Sequence, residues 1–173
     1  MTLRTIATIA VLAVLAPGAS GASADASSDI RSLVADIEQR HPYPYHSVSR
    51  EEFHRAADDL AARSPGLTRS QTIVGVMGLM HMLGERDGHS GLFPFVPSNY
   101  GGLHSYPLRL WRFPEGMHVI RSEDAAFVGA RVVSIGGLPI AAVEARVRPL
   151  VPRDNEWSHL DNLPYFVVTA EVL

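Results

Sequence analysis

The chain contains no cysteine and no lysine in its 173 residues. The first absence excludes disulfides, thiolate metal ligands and a cysteine nucleophile. The second excludes a Schiff base and a Ser-Lys pair built from this chain alone, because all 15 basic residues are arginine. A strong charge of either sign is also missing. The formal net charge is −3, which predicts no nucleic-acid partner and no anionic membrane surface as partner. Aromatics make up only 8%, and scattered ones such as Tyr43, Tyr45, Trp111 and Trp157 could line a surface, though isolated aromatics are more often core or boundary residues. What remains is an ordinary globular balance, 46% hydrophobic and 19% charged.

The N-terminus carries a leader pattern. Arg4 precedes the apolar run Ile6 to Leu15, which is too short to span a bilayer comfortably. Pro17-Gly18 breaks the run, and Ala22-Ser23-Ala24 supplies small residues for cleavage. Residues 1–24 are therefore expected to be a signal peptide, cut just before Asp25. The mature protein is expected to be secreted or periplasmic, with no membrane association after cleavage and, lacking cysteine, no lipid anchor.

Helical periodicity follows. Ser27-Ser28-Asp29 offers caps, and Ile30, Leu33, Val34 and Ile37 fall at i, i+3, i+4, i+7. Pro42 ends that helix near His41, and Pro42-Tyr43-Pro44-Tyr45 predicts a stiff extended link. Ser49 and Glu52 form a capping box, with Val48 and Phe53 as a hydrophobic staple. Phe53, Ala56, Ala57 and Leu60 make the buried stripe, and Ser64-Pro65-Gly66 ends the second helix. Thr68 and Gln71 form a second box. The helix they open is apolar nearly all round as far as Leu83 and stops at Gly84, so it should be covered on most sides. Gly75 and Gly78 predict close approach of another element.

Beyond Leu92 the pattern turns to short strands. Phe93-Pro94-Phe95-Val96-Pro97 reads as a stiff exit and residues 98–105 as a glycine-bearing loop. Tyr106 to Phe113 and Met117 to Arg121 read as strands around a Pro114-Glu115-Gly116 turn. Ala130 to Ile135 reads as another strand, Gly136-Gly137 as a tight turn needing positive φ, and Leu138 to Ile140 as its return. Ala141 to Val147 predicts a helix with Val143 and Val147 inward. Tyr165 to Val168 reads as a strand. The apolar ending Glu171-Val172-Leu173 leads us to expect further sequence downstream. The expected fold class is α+β: a helical N-terminal subdomain over 25–91, then a strand-rich module over 92–173.

The chemistry-bearing candidate is Asp87-Gly88-His89-Ser90 at the exit of the third helix. A histidine on a glycine-flanked loop behind a buried helix is rigidly based yet open to solvent, as a general acid or base requires. Gly88 to Gly91 does not make a nucleophile elbow, because the fifth position is Leu92 and the order is helix, turn, strand. Ser90 is therefore not the expected nucleophile. His81, His89, His104 and His118 lack the i, i+4 spacing of a helical zinc site, and His81 reads as a core or boundary histidine. No metal and no cofactor are expected.

Two pieces together resemble a known family. A helical region ending in Asp87-Gly88-His89-Ser90 precedes the pattern Gly-x-x-Val-x-x-Ile-x-Gly-x-Pro-Ile over Gly129 to Ile140. This order resembles the N-terminal half of the S41 peptidases, the tail-specific and tricorn-like serine proteases. The resemblance implies a PDZ-like module over 92–173, a polypeptide substrate, and a serine supplied by a later catalytic domain. It also implies that His89 is the catalytic base, as in the tricorn-like members; Asp87 and Ser90 would shape the turn. The chain departs from the usual module in having Gly136 where Asn or Asp is common, and in lacking a recognisable carboxylate-binding loop. The competing expectation is a non-catalytic exported module that binds extended peptides.

Overall fold

The computed structural model describes residues 23–94 and 103–173. Residues 1–22 of the expected leader over 1–24, and most of the glycine-bearing loop, lie outside the described residues. Helices α1 (Ser23–Arg40), α2 (Arg50–Arg63) and α3 (Arg69–Gly84) come first. Strands β1 (Leu108–Phe113) and β2 (Gly116–Ser122) follow, then β3 (Ser134–Ile135), β4 (Leu138–Pro139), α4 (Ile140–Val147) and α5 (Glu156–Val167). The fold is α+β, with two small antiparallel sheets. Among the described residues, no helix is long and apolar enough to cross a membrane.

Local chemistry sets the helix starts. Ser49 Oγ accepts the Glu52 N–H at 3.2 Å, and Glu52 Oε2 accepts the Ser49 N–H at 3.3 Å. Thr68 and Gln71 repeat the exchange at 3.2 and 2.9 Å. Each box satisfies donors that the first helical turn leaves free. α1 departs from expectation: it begins at Ser23, so Ser27, Ser28 and Asp29 lie inside it rather than capping it. Ser27 Oγ instead accepts from Arg31 one turn on, at 2.8 Å.

The first core joins Ile30 and Val34 of α1, Phe53, Ala57 and Leu60 of α2, and Leu79 and Leu83 of α3. Gly75 allows the tight α2–α3 contact, since a Cβ there would stand 2.5 Å from Leu60 Cδ1. Glu38 ties the link between α1 and α2. Its Oε1 accepts from Tyr45 Oη at 2.7 Å and Arg50 Nε at 2.7 Å, and lies 2.9 Å from His54 Nε2. The Arg50 guanidinium, with His54 and Tyr45, pulls the Glu38 carboxyl down to about 2.

The second core gathers Leu110, Met117, Val119, Val143, Val147 and Phe166 around Met77 of α3. The covering of α3 therefore comes from both halves, one face turned to each core. β1 pairs with β2 with a register irregularity between Arg109 and Leu110. On the far side of β2, Val119 and Met117 exchange backbone bonds with residues 129–132. Within the expected strand Ala130–Ile135, only Ser134–Ile135 is regular strand, and it pairs with Leu138–Pro139. The turn between them carries Gly136 at φ 57° and Gly137 at φ 82°, the left-handed region a two-residue hairpin needs.

Tyr165–Val168 corrects the sequence reading: Tyr165 to Val167 belong to α5, not to a strand. Asn155 caps α5, its Oδ1 accepting the Ser158 N–H at 3.0 Å. His159, Leu163, Phe166 and Val167 then fall at i, i+4, i+7, i+8, and all are buried. Pro164 removes one ladder bond and would ordinarily disfavour the helix. Burial of that stripe outweighs it.

Candidate functional site

The Asp87-Gly88-His89-Ser90 turn is folded back over the end of α3. The Gly84 carbonyl accepts the Asp87 N–H at 3.4 Å and the Arg153 N–H at 3.0 Å. A Cβ at Gly84 would lie 1.9 Å from the Ser90 carbonyl oxygen, so no side chain is compatible with this turn. Asp87 organises the turn from within. Its Oδ1 accepts the His89 N–H at 3.0 Å and its Oδ2 accepts the Ser90 hydroxyl at 2.7 Å. The Ser90 hydroxyl, then the His89 N–H, hold the Asp87 carboxyl below its ordinary range.

His89 stands clear of the protein, its side chain 91% exposed. Its Nδ1 lies 3.5 Å from Asp87 Oδ1, an ion-pair separation rather than a tight hydrogen bond. An imidazole whose Nδ1 faces a carboxylate keeps Nε2 for proton transfer. Ser90, by contrast, spends its hydroxyl proton on Asp87.

Two participants were not foreseen from the sequence. Asp154 Oδ1 accepts the Gly88 N–H at 2.8 Å, while the Asp154 N–H donates to Ser158 Oγ at 2.9 Å. The turn is thereby fastened to the N-terminal end of α5, 66 residues away in the chain. No local pattern marks Asp154 for this. His46, from the link after α1, brings its Nε2 to 3.9 Å from Asp87 Oδ2.

The other histidines do not join. His81 sits on α3 with its Nδ1 buried. His104 pairs with Glu171. His118 Nδ1 lies 3.1 Å from the Gly116 carbonyl oxygen, and its ring meets Phe113 edge-on at 5.5 Å. Asp87, His89 and Asp154 offer ligand atoms within 4.8 Å of one another, a donor set of two carboxylates and one imidazole that could hold a divalent cation.

A separate apolar groove runs between β1, β2 and residues 130–136, lined by Tyr106, Leu108, Leu110, Phe127, Val133 and Val168 among others. Compared with protein-family models, curated proteins and solved structures, the chain matches none.

Proposed function

We propose that this chain is the N-terminal part of an exported S41-type serine peptidase, in which His89 takes the proton of a serine contributed by a later domain. One observation carries the reading: an exposed imidazole paired through Nδ1 with a carboxylate kept ionised by its own turn. That is the arrangement of a general base, oriented by a third group. His89 Nε2 would accept the serine proton during attack on the peptide carbonyl and return it to the leaving amine. Ser90, committed to Asp87, is not a second nucleophile. The 92–173 part is PDZ-like in this reading and meets the polypeptide substrate.

The chain alone is expected to be inert towards unfolded casein; turnover that disappears in Ser90→Ala would overturn this. With the downstream reading frame included, His89→Ala should lower kcat/KM by about 10²–10⁴. Unchanged turnover in that variant would remove His89 from the mechanism.

A second reading is favoured by the apolar groove beside residues 130–136. A non-catalytic module could seat apolar side chains of an extended peptide there, with backbone pairing giving affinity. A reading frame that stops without a hydrolase domain, together with peptide binding lost on Val133→Asp, would favour it.

A further inference from the structure

Away from the turn, the contact between α3 and residues 148–159 holds two histidines that the proposed chemistry does not use. His159, on α5, is 2% exposed, and its Nδ1 is buried without a protein partner. His81, on α3, likewise has a buried Nδ1 without a partner, as does Nη1 of Arg153. The charged groups facing the two rings are Arg148 and Arg153, with Glu85 and Glu156, and the cleft that His81 lines also carries Glu52, Arg55 and Asp59 of α2. Glu85 and Glu156 are already engaged. Glu156 takes two bonds from Arg148, at 2.8 and 3.1 Å, and Glu85 takes one from Arg153 at 3.1 Å. With neutral rings, Arg148 and Arg153 balance Glu85 and Glu156. A proton on either ring adds a charge while Glu85 and Glu156 are already engaged, in a place where burial makes charge costly.

We propose that His81 and His159 form an acid-operated latch between α3 and the 148–159 segment, and that its opening releases the Asp87–Ser90 turn. The coupling is direct, because one short stretch serves both. Arg153 N–H holds the Gly84 carbonyl, and Asp154 holds Gly88. Pro152 packs under the turn so closely that a Cβ at Gly91 would stand 2.3 Å from its Cγ. If repulsion moves Arg148 and Arg153 off α3, Gly88 loses its acceptor and His89 its fixed base.

The sign of the effect follows from the rings. Burial, then Arg148, pushes His159 down to about 4 from its usual 6.5, and burial, then Arg153, lowers His81 as well. The unfolded chain therefore takes up protons before the folded one. The stability these neutral rings provide is complete above about 6.5 and lost as pH falls towards about 4. The latch does not depend on the peptidase reading: it concerns when the turn is held, and its readout is not catalysis.

The test is amide exchange on the whole 173-residue chain, corrected for the intrinsic pH dependence of exchange. Protection of the Gly88 and Arg153 amides should fall about tenfold or more between pH 6.5 and 4.5. It should stay flat in the His81→Gln, His159→Gln double variant, whose side chains take up no proton. Flat protection in the unaltered chain, or an equal loss in the double variant, overturns the latch. If the double variant does not fold, the ring titration of His159 in the unaltered chain decides. A midpoint well below 6.5 that coincides with the loss of Gly88 protection supports the latch. An ordinary midpoint, or a loss that does not follow it, overturns it.

Discussion

The helical half, 23–84, and the half from Leu103 onwards differ in where their structural information lies. In the first, each helix start after the link is written locally, Ser49 with Glu52 and Thr68 with Gln71, and each stop is marked by proline or glycine. In the second, the β1–β2 and β3–β4 hairpins pair sequence neighbours, but the rest is joined by residues farther apart in sequence. Ser105 bridges Thr169, and His118 bridges Arg131. Helix α3 belongs to both, giving Leu79 and Leu83 to one core and Met77 to the other. The site follows the same division. Asp87, His89 and Ser90 form a local device, but Asp154 comes from the second half to hold it.

The sharpest way to break this comparison is to empty each core. Phe53→Ala in the first and Phe166→Ala in the second should each cost about 3–5 kcal/mol, both side chains being fully buried. Because α3 is shared, urea unfolding should remain one transition by far- and near-ultraviolet circular dichroism. Two separated transitions would show that the halves are independent. Gly84→Ala comes next. The clash with the Ser90 carbonyl should cost about 1–3 kcal/mol and remove exchange protection from Gly88.

Caps sharpen the comparison further. Ser49→Ala and Asn155→Ala should each cost about 0.5–2 kcal/mol in urea unfolding. Only the second should also disturb the Gly88 amide, since Asn155 adjoins Asp154. The smallest effect is expected at Glu38. Its lowered carboxyl stabilises the α1–α2 link above about 4.5, and that contribution is lost as pH falls towards about 2. Thermal unfolding of Glu38→Gln should show less decline over that acid range than the unaltered chain.

How much was legible follows the same line. The two capping boxes, the Gly136-Gly137 turn and the inward Val143 and Val147 were readable because neighbours in sequence decide them. α5 was misread because Tyr165 to Val168 has β-favouring side chains and Pro164 argues against a helix. The buried i, i+4, i+7, i+8 stripe from His159 to Val167 is the signal that would have found it. The 130–133 segment was read as regular strand, although it exchanges only scattered bonds with β2 and α4. Within the site, His89 and its turn were visible; Asp154 and His46 were not, because only folding brings them to Asp87 and Gly88.

The central claim is that Asp87 favours the Nδ1–H tautomer of His89 and leaves Nε2 free as a base. Nitrogen-15 correlation spectra of the His89 ring at pH 8 test it most directly. The Nδ1–H tautomer should predominate in the unaltered chain and lose its preference in Asp87→Ala. A ring with Nε2–H predominant, unaffected by removal of Asp87, would contradict it.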